Sequence, residues 1–168
     1  KTMKNERRER WTQLSSQRMS RVLWTIELIA NLSSHNYEYK DEWLGYLFDS
    51  IKQKGDEIKE VFQNPTDALS NKLISEFEFP KEMFRSQPSP KELKFKNVAE
   101  RRITKLYKEM NYFSRLANTK NYTYDSIDVD FLFDCYSNKY YELVSWFPPF
   151  IKDRVCNDIN VADFPSER

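Results

Sequence analysis

Residues 36–62 read NYEYKDEWLGYLFDSIKQKGDEIKEVF, and residues 121–147 read NYTYDSIDVDFLFDCYSNKYYELVSWF. A shift of 85 lays Asn36, Tyr37 and Tyr39 on Asn121, Tyr122 and Tyr124. The same shift lays Leu47-Phe48-Asp49 on Leu132-Phe133-Asp134, Lys54 on Lys139, Glu57 on Glu142 and Phe62 on Phe147. Upstream, a shift of 84 pairs Arg18 with Arg102, Val22 with Leu106, Ile26 with Met110, Ile29 with Phe113 and Leu32 with Leu116. One extra residue in the second loop accounts for the change. Collinear matches that keep apolar on apolar indicate an internal duplication.

Each half has the same pattern of a long helix, a short loop and a second helix. Trp11, Leu14, Met19, Val22, Leu23, Ile26 and Ile29 recur at the spacing of one helical face, as do Leu44, Leu47, Phe48, Ile51, Ile58 and Phe62. In the second half the stripes are Ala99, Ile103, Leu106, Met110, Phe113, Ala117 and then Val129, Leu132, Phe133, Tyr136, Leu143, Phe147. Ser89-Pro90-Lys91-Glu92 is a capping box with proline at the first helical position. Asp41 and Asp125 suit the caps of the second helices. Pro148-Pro149 stops the last one. Asn64-Pro65-Thr66-Asp67 predicts a short helix over Pro65–Phe77.

The expected fold is therefore all-α: two tandem, diverged helix–loop–helix repeats in a four-helix arrangement, with a short extra helix. Residues 1–79 form the first repeat, 80–90 a proline-containing linker, and 91–168 the second repeat with an acidic tail. A lone two-helix hairpin buries too little apolar surface to be stable, so one core shared by both repeats is expected. A homodimer would extend the same packing.

The composition disfavours several function classes. Only two glycines occur in 168 residues, and both sit inside a helical pattern. Phosphate-cradling loops need glycine so that backbone N–H groups can approach the ligand, which argues against nucleotide-binding enzymes. Cys135 and Cys156 form no CxxC pair and suggest no zinc site. Two cysteines are too few for a disulfide scaffold, so a reducing, cytoplasmic location is expected. His35, the only histidine, reads as a solvated loop residue. Asp125, Asp128 and Asp130 lack the glycine and closing glutamate of a calcium loop and read as helix N-terminal acids. The pairs Asp49/Asp134 and Glu57/Glu142 leave a remote expectation of carboxylate-based, metal-dependent catalysis. No cofactor or resident metal is expected.

Two kinds of binding remain. Trp43, Tyr46, Phe131, Tyr140, Tyr141, Trp146 and Phe150 exceed what a small helical core readily hides, which suggests an interface with another protein. On this first expectation the protein is a non-enzymatic regulatory or inhibitory subunit of a bacterium or phage. The second expectation rests on charge. Residues 1–24 hold seven basic and two acidic side chains, and residues 91–120 hold nine and three. The second helix of each half is acidic instead. Lys94, Arg101, Lys105, Lys108 and Arg115 share a stripe with Tyr112, and Arg7, Arg10, Arg18 and Arg21 cluster on the first helix. Basic stripes with an interleaved aromatic suit DNA or RNA. The Asn-Tyr-x-Tyr motif is expected to pin each loop onto its helices through tyrosine packing and hydroxyl-to-backbone bonds.

Overall fold

The computed structural model describes residues 2–65, 72–147 and 157–165. Four long helices carry the fold: α1 Met3–Ala30, α2 Asp41–Gln63, α3 Pro90–Ser114 and α4 Ser126–Ser145. Short 3-10 turns follow α1 at Asn31–Ser33 and α3 at Arg115–Ala117. Two more lie at Lys81–Phe84 and Val161–Asp163. There is no strand among the described residues. The all-α class is as expected.

Local chemistry sets most helix starts. The Thr2 side chain accepts from the Asn5 N–H at the start of α1. Ser89 and Glu92 form the reciprocal capping box of α3, with Pro90 in its first turn. Asp125 and Asp128 do the same for α4. For α2 the expectation needs correcting. Lys40 is the cap and makes no side-chain bond, while Asp41 is the first helical residue. There its charge faces the positive end of the helix dipole.

The helices do not pair within each half. α1 packs against α3 and α4, and α2 packs against α4 and α3, so the principal contacts all cross between halves. Trp11 Nε1 donates to Leu116 O at 3.0 Å, Arg18 reaches Tyr112, Thr25 bonds Glu109, and Arg102 Nη1 donates to Leu28 O at 2.6 Å. This order makes α1 and α3 antiparallel. On the other side, Tyr136 donates its hydroxyl to Ile51 O at 2.6 Å. Phe48 packs on Phe147 and Phe62 on Phe133, which makes α2 and α4 antiparallel too. Trp11, Ile51, Phe62, Leu116, Phe133, Tyr136 and Phe147 belong to one continuous core, with Phe48 packed against it.

The segments outside the long helices differ from expectation. Residues 66–71 lie outside the described residues, but the predicted helix does not reach Phe77. Residues 72–80 hold no helix. Phe77 and Phe79 are buried while Glu76 and Glu78 are exposed, the period-two alternation of an extended chain. Phe79 packs against Tyr46 and Phe95, and Phe164 packs against Phe131 and Trp11. The 80–90 stretch is also packed down: Phe84 stacks on Trp43 with centroids 4.3 Å apart.

Two lysines are drawn into the interior. Lys139, 1% exposed, pairs with Glu27 of α1 and Glu142 of α4. Lys54 pairs with Glu57 and donates to Ile74 O at 2.9 Å. Burial holds the Lys54 ammonium below its usual pKa, and Glu57 opposes that shift. Removing one member of a buried ion pair leaves an uncompensated charge. We expect Lys139→Met to cost about 3 kcal/mol in urea unfolding. The two glycines of α2 should respond oppositely to alanine. A Cβ on Gly55 would lie 2.5 Å from Tyr136 Cε2, whereas one on Gly45 meets nothing within 4 Å. Gly45→Ala should gain about 0.5–1 kcal/mol. Gly55→Ala should lose about 1–3 kcal/mol through overpacking, read in the same denaturation series.

Candidate functional site

The antiparallel contact of α1 with α3 leaves each helix one narrow exposed stripe. On α1 it runs Arg10, Gln13, Gln17, Arg21, Trp24, Leu28. On α3 it runs Lys94, Asn97, Arg101, Lys105, Lys108, Tyr112 and continues to Arg115 in the following turn. Every basic residue expected on the third-helix stripe is therefore exposed. On α1, Arg7 and Arg18 are half-buried.

An open groove of about 720 Å³ joins the two helices. Arg18 and Arg21 enter it from α1; Arg101, Lys105, Lys108 and Tyr112 line it from α3. Arg7, Arg10 and Lys94 are not among its lining residues, and Lys94 instead lies over the Tyr37 ring at 5.1 Å. The 72–80 segment forms the opposite wall with Glu76, Phe77 and Glu78. That wall is fastened to α3 through backbone donors. Phe77 N–H donates to Thr104 Oγ1 at 3.1 Å, and Phe79 N–H donates to Glu100 Oε2 at 2.9 Å.

The acids within the groove are unequal. Glu100 is engaged by Lys96 and by the Phe79 N–H. Burial raises the Glu109 carboxyl, against the Thr25 hydrogen bond and the charges of Lys105 and Arg21. Glu76 and Glu78 are exposed on the far wall. The charge is thus lopsided, basic along the helices and acidic along the extended segment.

Tyr112 stands at the end of this track, 42% exposed. The Arg18 guanidinium lies 3.8 Å from its ring centroid, and Arg18 Nη2 donates to its hydroxyl at 3.1 Å. Beyond it, a second hollow is lined by Arg18, Tyr112, Arg115, Asn121 and Tyr122, so one loop motif borders the track.

Two other motif tyrosines pack against the core. Tyr124 packs on Trp11 and Phe62 and donates its hydroxyl to Ala117 O at 2.7 Å. Tyr39 packs on Phe95 and Phe147. Asn36 is exposed at its loop, and so is His35, whose carbonyl accepts from Lys91.

The expected aromatic interface is largely consumed by packing. Trp43 is 1% exposed and donates to Met83 O at 3.1 Å, which corrects its placement on a surface. Tyr46, Phe131, Tyr140 and Trp146 are half-buried against the core, and Tyr141 alone of that set is open, at 56%. Phe150 and Cys156 lie outside the described residues. The segments 72–80 and 157–165, read from sequence as helix, linker and tail, pack on Tyr46 and Phe131. A usable signal was present: Ile74 and Phe79-Pro80 recur as Ile159 and Phe164-Pro165 at the shift of 85.

Asp49 and Asp134 are exposed, whereas Glu142 is buried against Lys139. Among the described residues, no group of three or more His, Cys, Asp or Glu side chains is placed to hold a metal, and no helix is long and apolar enough to cross a membrane. No protein-family model, curated protein or solved structure matches the chain.

Burial pushes the Tyr124 hydroxyl up to about 12. A raised folded-state value contributes stability that is complete below the ordinary tyrosine pKa and lost as pH climbs through the raised one. Tyr124→Phe should cost about 1 kcal/mol at pH 7 by leaving the Ala117 carbonyl without its donor. It should also flatten the alkaline stability loss between pH 10 and about 12, followed by urea unfolding at stepped pH.

Proposed function

We propose that this protein is a non-catalytic nucleic-acid-binding protein that grips the phosphate backbone along α1 and α3. The observation that carries the reading is the convergence of Arg18 and Arg21 with Arg101, Lys105 and Lys108 on one open groove. Net charge is only +1, so attraction to a polyanion depends on this segregation. The engagement of Glu57 and Glu142 by the buried lysines supports binding over carboxylate catalysis.

The reading includes descent from a duplicated unit. Contacts exchanged under the two shifts support it: Arg18 to Tyr112 O against Arg102 to Leu28 O, and Phe48–Phe147 against Phe62–Phe133. Protein contact is a second reading. Trp24 and Leu28, one turn apart on the α1 stripe, are 50% and 40% exposed and leave an apolar surface open.

Fluorescence anisotropy with labelled oligonucleotides, titrated with salt, separates the two. Five phosphate contacts at about 0.7–0.9 each correspond to a log–log slope of about −4. The triple variant Arg101→Glu, Lys105→Glu, Lys108→Glu should abolish binding near 150 mM salt. Absence of binding by the unmodified protein at that salt refutes the nucleic-acid reading and leaves the Trp24–Leu28 surface as the site to pursue.

A further inference from the structure

The groove has one basic wall and one acidic wall, and that asymmetry bears on the form of nucleic acid. We infer that the bound form is single-stranded, laid along α3 with its phosphates on the helix and its bases turned toward the 72–80 segment. The inference rests on the nucleic-acid reading above. A duplex carries two phosphate rows, and with one row on Arg101, Lys105 and Lys108 a second row turned toward the 72–80 segment would meet Glu76 and Glu78. A single strand has one row. Adenine, cytosine and guanine carry exocyclic amines, which can donate to carboxylates such as Glu78. The acidic wall therefore disfavours a second phosphate row and accommodates base edges.

The aromatic placement supports the same form. Sequence-tolerant recognition of single strands combines a basic track with aromatic faces for stacking, which bases inside a duplex cannot reach. Tyr112 stands on the exposed stripe one turn beyond Lys108. Arg18 lies over its ring at 3.8 Å and bonds its hydroxyl, and the Arg115 guanidinium lies 5.4 Å from the same centroid, so a base that stacks there joins or displaces a guanidinium on a ring already held in place. Tyr122, beside Arg18 and Arg115 in the adjoining hollow, offers a second ring. From Arg101 to Arg115 the track runs about 21 Å at 1.5 Å per residue, enough for a few nucleotides.

The α1 stripe that the shift of 84 pairs with this track is chemically different. Gln17 and Trp24 stand where α3 has Arg101 and Lys108, and Leu28 stands where it has Tyr112. One strand per chain follows.

The test uses the full chain and two probes, a labelled 12-nucleotide mixed-sequence single strand and the matching 12-base-pair duplex, at about 150 mM salt. The single strand should bind at least about tenfold more tightly, with one strand per protein. Tyr112→Ala should weaken single-strand binding about tenfold, within the range of one lost base stack. Tyr112→Phe should retain it, and Tyr112→Ala should weaken duplex binding less than single-strand binding. Glu76→Gln with Glu78→Gln should narrow the preference by strengthening duplex binding. Thermal unfolding by circular dichroism checks that each variant is folded. Duplex binding as tight as single-strand binding, or an equal response of both probes to Tyr112→Ala, overturns the single-strand inference and leaves phosphate binding standing. Failure of both probes to bind overturns both readings.

Discussion

The antiparallel contact between α1 and α3 is the constraint on which the rest of the molecule depends. It is held along its length by Trp11 to Leu116, Arg18 to Tyr112, Thr25 to Glu109 and Arg102 to Leu28. Because these partners lie 74 to 105 residues apart, closing the contact commits both halves at once. α1 and α2 gain little from one another, and neither do α3 and α4. Each finds its burial on the opposite half, so neither half has a complete core by itself. Loop closure over such separations is entropically costly and is offset by the large apolar surface that closes in one step.

The same contact creates the groove. Two basic helices lying side by side would repel if their charges faced each other. Their apolar stripes face inward instead, leaving the basic stripes at the rim, where water screens them. The acidic helices α2 and α4 sit behind, with Arg8–Asp128 and Lys139–Glu27 bridging α1 to α4. Sign segregation along the chain thus becomes segregation in space.

Aromatic residues complete the enclosure. The four helices leave gaps that Phe77, Phe79 and Phe164 fill from outside the long helices. Filling gaps this way lets the wall of the groove be backbone fastened to Thr104 and Glu100, with every second side chain outward. Glu76 and Glu78 are those outward side chains, so their place beside the basic track follows from the burial of the phenylalanines between and beyond them.

The sequence by itself determined the helices, their inner faces and the basic stripe of α3. These depend on spacing along a single element, and periods of three and four residues are local. Ser89 and Asp125 were legible as caps for the same reason, while Asp41 fell one residue off because Asp is also favoured in the first turn. Tertiary structure alone decided which helix meets which, and hence that Arg18 and Arg21 share a groove with Lys105 and Lys108. It also decided that Trp43, expected on a surface, is covered by Phe84, and that 72–80 is extended where a helix was expected. Burial of an aromatic and the choice between strand-like and helical backbone depend on surfaces from remote segments. Here those surfaces, Tyr46 with Phe95 and Phe131 with Trp11, exist only once the two halves have interlocked.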